Sequence, residues 1–68
     1  MGEFKLTSEY IELVKLLKLL RIAETGGHAK FLVEEGEVFL NGEQEFRKRA
    51  KLRSGHEVEI LGKKIVIQ

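Results

Sequence analysis

Five cations, Arg47, Lys48, Arg49, Lys51 and Arg53, crowd one short stretch of this chain, and residues 46 to 55 contain no acidic side chain. Clustered Lys and Arg neutralise a line of phosphates and release the counterions condensed on it, which supplies most non-specific affinity for a polyanion. Arginine adds a planar fork of donors that suits phosphate oxygens and stacks on bases. The plain alternative is a solvated loop whose charges balance the preceding acidic stretch, Glu34, Glu35, Glu37, Glu43 and Glu45, where residues 34 to 45 carry no cation. The formal net charge is only +1, so the segregation of charge, not its sum, is what points to an anionic partner.

A second candidate lies at Gly26 and Gly27. If a helix starts here, the free N–H groups of Gly26, Gly27 and His28 face outward, and two residues without Cβ let an anion come close. A tight turn between helices accounts for the same pair. Lys30 follows, and Glu34 stands one turn later as a possible partner; an exposed pair of that kind is worth only about 0.3–0.5 kcal/mol and would leave Lys30 available. Lys15, Lys18 and Arg21 recur three apart, the pattern of a solvated helix face, and Lys18 is the one best placed to extend a basic surface. Asn41 reads as a turn former, not a base reader.

Catalysis and metal binding have little to draw on. The chain has no Cys and no Asp, and His28 and His56 sit far apart on different elements, so neither a nucleophilic triad nor a zinc set is spelled out. The glutamates lack the aspartate-rich spacing of a calcium loop. The expectation is a non-enzyme without metal or cofactor. Apolar runs are too short for a membrane span or a signal-peptide core, and the lack of Cys suits a cytoplasmic setting.

The elements that must position these groups follow from periodicity. At 68 residues, with 43% hydrophobic and 34% charged side chains, the composition is that of one small globular domain, residues 1–68, with a thin core. Leu13, Leu16, Leu17 and Leu20 share one helix face, and the spacing predicts a helix starting near Leu13 after an extended segment begun by Phe4 and Leu6. Thr25 as N-cap, Ala29, Leu32 and Val33 at core spacing, and Gly36 as a left-handed stop predict a second, short helix. Val38 and Leu40 lead into Asn41-Gly42, the strongest hairpin dipeptide. A strict two-residue loop would set Leu40 against Glu43 and Val38 against Glu45, with both carboxylates on the apolar face, so a bulge or wider loop is expected. Val58 and Ile60, then Ile65 and Ile67 beyond Gly62-Lys63-Lys64, alternate as two further strands. Phe31, Phe39 and Phe46 fall where a small core would want them, and with so few aromatics recognition by stacked bases is not expected.

The order Thr25-Gly26-Gly27-His28-Ala29-Lys30, Glu35-Gly36-Glu37-Val38, Leu40-Asn41-Gly42, Lys51-Leu52 and Gly55 resembles the RNA-binding domain named after ribosomal small-subunit protein S-four, also called the alpha-L motif. The likeness spans about Leu13 to Ile60. It is nearest to the small stand-alone bacterial members, with their leucine-leucine-lysine helix, Ser/Thr-Gly-Gly-x-Ala-Lys helix start and Arg-Arg-Gly-Arg-Lys-Leu stretch. There are departures. Gly26 stands where larger members carry arginine, Arg49 where the small subfamily tends to have glycine, Ala50 where it tends to have arginine, and His56 where aspartate is usual. The last leaves the turn after Gly55 open.

The resemblance implies an α+β fold of two short helices on a small, mostly antiparallel sheet. It also implies a module that recognises structured RNA, ribosomal or transfer RNA, by backbone and shape, on the ribosome or its precursors; a monomer is expected. The residues carrying this would be Lys18, Gly26, Gly27, Lys30, Arg47, Lys48, Arg49, Lys51 and Arg53. The rival is a protein-interaction adaptor docking by charge complementarity on a ribosomal or DNA-associated complex; it needs a central apolar anchor, and the sequence shows no exposed apolar cluster.

Overall fold

A computed structural model describes residues 2–68. Along the chain the elements are β1 (Gly2–Phe4), β2 (Ile11–Glu12), α1 (Leu13–Leu19), α2 (Gly26–Glu34), β3 (Val38–Leu40), β4 (Glu43–Gln44), β5 (Lys51–Leu52), β6 (Glu57–Ile60) and β7 (Lys63–Ile67). The helix faces read from spacing are the buried ones: Leu13, Leu16 and Leu17 of α1, and Ala29, Leu32 and Val33 of α2. They close one core with Val38, Val58, Ile60, Ile65 and Ile67 of the strands, while Leu20 packs partly buried at its margin.

Both helices end in the same motif. In α2, Gly36 adopts φ 78°, its N–H donates to Val33 O and that of Glu37 to Leu32 O, so the last carbonyls are satisfied as a left-handed residue allows. In α1 the left-handed position is filled by Arg21 at φ 59°, with the Arg21 N–H on Lys18 O and the Ile22 N–H on Leu17 O. Ile22 then turns back onto the core.

The main sheet has strand order β1-β7-β6-β3-β4, antiparallel except where β1 runs parallel to β7 at one edge. That pairing is extended by Leu6 N–H on Gln68 O and Gln68 N–H on Phe4 O, both 2.7 Å. A separate two-stranded ribbon joins β2 to β5, with Ile11 opposite Leu52. The sheet is thus mostly antiparallel, as the resemblance implied, with two helices against one face.

Three expectations need correction. The Asn41-Gly42 hairpin has no bulge: Leu40 lies opposite Glu43, and Glu45 N–H donates to Val38 O at 2.9 Å. Asn41 and Gly42 take φ 52° and 85°, and Asn41 Oδ1 also accepts the Glu57 N–H at 2.9 Å. The strict register is tolerated because β4 is a two-residue edge strand: Glu43 and Gln44 are exposed, and the partly buried Glu45 is neutralised by Arg47. Second, the turn between β6 and β7 is Leu61-Gly62, both at positive φ, with Ile60 opposite Lys63, so Lys63 and Lys64 belong to the strand. Third, Phe31, Phe39 and Phe46 lie outside the core, at 57%, 39% and 57% exposure. Phe31 lies on the outer side of α2, Phe39 points from the open face of β3, and Phe46 sits in the loop after β4. The core is filled without them by residues the helix and strand periods already supply.

Candidate nucleic-acid interface

The basic loop is fastened by the start of α1. Glu12, at the N-cap, makes no side-chain capping bond. Instead the Leu13 N–H donates to Ala50 O at 2.9 Å and the Val14 N–H to Lys48 O at 3.1 Å. These are two of the donors that every helix start leaves unpaired. A turn, Ala50 N–H on Arg47 O at 3.1 Å, closes the loop. With the backbone so held, Ala50 and Leu52 point inward and are buried, while Arg49, Lys51 and Arg53 point out. Alanine at 50 is therefore a core contact, and Arg49 beside it keeps the charge on the outside.

Beyond β5, His56 settles the turn that its departure from aspartate left open. Its Nδ1 accepts the Arg53 N–H at 3.0 Å, its own N–H donates to Arg53 O, and Gly55 takes φ 96°. The imidazole supplies the acceptor that a carboxylate would supply there.

At the start of α2, Thr25 Oγ1 accepts the His28 N–H at 3.0 Å, and His28 Nδ1 accepts the Glu24 N–H at 3.3 Å. The His28 N–H is thereby spent, so the outward donors expected here reduce to those of Gly26 and Gly27. A Cβ at Gly26 would meet nothing within 4 Å, and one at Gly27 only Thr25 Oγ1 at 3.9 Å, so the space beside these two residues is open.

That space is a cleft of about 300 Å³ lined by Glu12, Val14, Gly26, Gly27, Lys30, Lys48 and Arg49. Five of the nine expected residues converge here from two separate elements, the α2 start and the basic loop. Among the described residues the ion pairs are Arg47–Glu45 and Lys64–Glu57, so Lys30 does not pair with Glu34, and Lys48 and Arg49 are likewise unpaired. Two glycines at a helix start and three unpaired cations thus line one concavity together with the Glu12 carboxylate, a set of groups chemically suited to an anion.

A wider cleft of about 680 Å³ lies on the other side of the loop, between Glu34 and Phe46, Arg47, Lys48, Arg49, Ala50 and Lys51. Lys48 and Arg49 border both. Arg47 is less free than the sequence suggests: its Nε and Nη2 donate to the two carboxylate oxygens of Glu45 at 3.0 and 3.2 Å. That bidentate hydrogen bond is the main cause holding the Glu45 carboxyl below its ordinary range, and it raises the Arg47 guanidinium. Lys51 and Arg53 lean over the Tyr10 ring, Nζ at 4.8 Å and Cζ at 5.5 Å from its centroid. Lys18 is exposed near the end of α1 and, like Arg53, lines neither cleft. Sequence reasoning missed Tyr10 and Phe46. The only hint at Phe46 was its setting, charged on both sides with no apolar neighbour at i±2 to share a core face.

The chain is similar throughout to proteins already described. Residues 4–68 match the model of the S4 domain. The Escherichia coli (strain K12) protein named "Putative RNA-binding protein YbcJ" is 38% identical over 58 residues, covering 85% of this chain and 83% of that one. The Bacillus subtilis (strain 168) protein named "Probable ribosome maturation protein RlbA" is 42% identical over 55 residues, covering 81% and 78%. The solution structure of YbcJ, described as revealing an alfaL motif involved in RNA-binding, superposes with a TM-score of 0.74 at 37% identity, over 98% of this chain and 86% of the other. The family match over residues 4–68 and the shared fold agree: the chain belongs to the S4 domain family.

Proposed function

We propose that this chain is a non-catalytic RNA-binding module that takes structured RNA, ribosomal or transfer RNA, by its backbone and shape. One observation carries the reading. Gly26, Gly27 and Lys30 from α2 and Lys48 and Arg49 from the loop line a single open cleft, with the cations unpaired and the loop already fixed. Lys51, Arg53 and Lys18 widen the basic surface around it, and Arg47 joins when it leaves Glu45. A pre-shaped loop pays little ordering entropy on binding, which suits recognition by shape. The names of the two relatives support RNA as the partner and the ribosome or its precursors as the setting, hence a cytoplasmic protein. Among the described residues no helix is long and apolar enough to cross a membrane. One domain acting as a monomer suffices for this role.

The test is binding of structured RNA, against duplex DNA of equal length, across a salt series. Wild type should prefer RNA, with affinity falling steeply as salt rises. Lys30→Gln, Lys48→Gln and Arg49→Gln together should flatten the log–log slope by about 0.7–0.9 per lost phosphate contact, without lowering thermal stability. Absence of nucleic-acid binding at low salt would overturn the reading. It would favour the adaptor, for which Phe39 on the open sheet face, opposite Glu59 of β6, supplies the apolar anchor.

A further inference from the structure

We propose that the wider cleft, between the end of α2 and the basic loop, holds one unpaired nucleobase, guanine before the others, stacked on Phe46 with its edge toward Glu34. This rests on the RNA reading above and adds base recognition to it.

Phe46 is the starting observation. The residue is 57% exposed and lies beside Gly36, where a Cβ would stand 3.5 Å from its Cε1. Gly36 is itself tied down by the Gln44 side chain, whose Nε2 donates to Gly36 O at 2.8 Å. The ring also borders a cleft of about 680 Å³. An exposed aromatic ring beside open space is a stacking platform, and any base has a π-face to lay on it.

The charges around the ring select the occupant. Arg47, Lys48, Arg49 and Lys51 form one wall, and Glu34 stands apart from them on α2. An apolar side chain of a protein partner would satisfy Phe46 alone. A nucleotide satisfies the whole set, because its phosphates neutralise the cations and its base fills the space over the ring. A carboxylate repels phosphate, so Glu34 orients the nucleotide with its backbone toward the loop and its base toward α2.

Among the described residues Glu34 makes no ion pair, which leaves its carboxylate to accept hydrogen bonds. Guanine offers adjacent N1–H and N2–H donors that match the two oxygens of a carboxylate. Uracil offers one N–H between two carbonyl oxygens, which a carboxylate repels; adenine and cytosine offer one amino group beside a ring acceptor. The order expected is guanine first and uracil last. Since pairing occupies the Watson–Crick edge of a guanine and stacking covers its faces, the target is a stem interrupted by an unpaired nucleotide.

Three hairpin RNAs test this at one salt concentration: a fully paired stem, the same stem with a single bulged guanosine, and the same with a bulged uridine. Wild type should bind the guanosine bulge about five- to a hundredfold more tightly than the paired stem. Phe46→Leu should abolish that preference and Phe46→Tyr should keep it, which separates stacking from apolar contact. Glu34→Gln should narrow the guanosine-to-uridine ratio while leaving bulge above stem. Both side chains are exposed, so melting curves of the variants should overlay that of wild type. If wild type and Phe46→Leu bind bulged and paired stems alike, the base pocket is refuted and the backbone reading stands. If wild type binds none of the three at low salt, both are overturned.

Discussion

Arg47 shows how far a formal charge can differ from a usable one. It begins the basic stretch, but its guanidinium is clasped by Glu45, and the field it presents to a phosphate is correspondingly weakened. Glu45→Gln should free it. The slope of RNA affinity against salt should steepen by about 0.7–0.9, the equivalent of one more phosphate engaged. The same pair sets a pH dependence whose sign is fixed. The Glu45 carboxyl is held low in the folded chain, chiefly by the Arg47 hydrogen bond, so its contribution to stability is complete above the unfolded carboxylate range. It is lost as pH falls through the lowered folded value. Denaturant midpoints measured from neutral to acid pH should therefore fall less in Glu45→Gln than in wild type. None of this was visible in the sequence, because residues two apart in a strand-to-loop bend meet only once the bend is known.

At the scale of elements, the turns divide into those whose residues announce them and those that do not. Asn41-Gly42 and Gly36 were legible because their residue types relieve a positive φ. Leu61 and Arg21 were not: each takes a left-handed conformation that its type disfavours, imposed by the strand pairing on either side of Leu61 and by the helix end before Arg21. A non-glycine L-residue pays about 1–2 kcal/mol for that conformation, and Asn tolerates it better. Leu61→Asn, which places Asn-Gly in the β6–β7 turn and removes an exposed leucine, should stabilise the domain by about 1 kcal/mol. A thermal scan should show this as a rise of roughly 4–8 °C in Tm; no rise would mean that the leucine side chain contributes a contact the turn needs. Helix starts were readable for the same local reason, Thr25 as a cap and the leucine period from Leu13. The cap of α1 was not, since its acceptors, Ala50 O and Lys48 O, lie far along the chain.

For the molecule as a whole, the residue types that line the smaller cleft stood out in the sequence, and the cleft itself did not. Gly26, Gly27, Lys30, Lys48 and Arg49 were named from pattern and resemblance, yet only the fold brings the α2 start beside the loop and separates Lys18 and Arg53 from both clefts. The aromatic residues misled because hydrophobic type was equated with burial. In a thin core supplied by leucine, isoleucine, valine and alanine, three phenylalanines were left at the surface. The placement of β1 parallel to β7 was likewise beyond local reading, and it bears on how the molecule would respond to tension. Because Gly2 pairs with Ile65 and Phe4 with Ile67, a pull that separates Gly2 from Gln68 slides the two strands along each other and loads their hydrogen bonds together. A pull applied across β3 and β4 from their ends at Val38 and Glu45 would instead peel bonds in succession. Single-molecule stretching should find a higher rupture force in the first geometry than in the second, with the β1–β7 edge of this small sheet acting as a shear clamp.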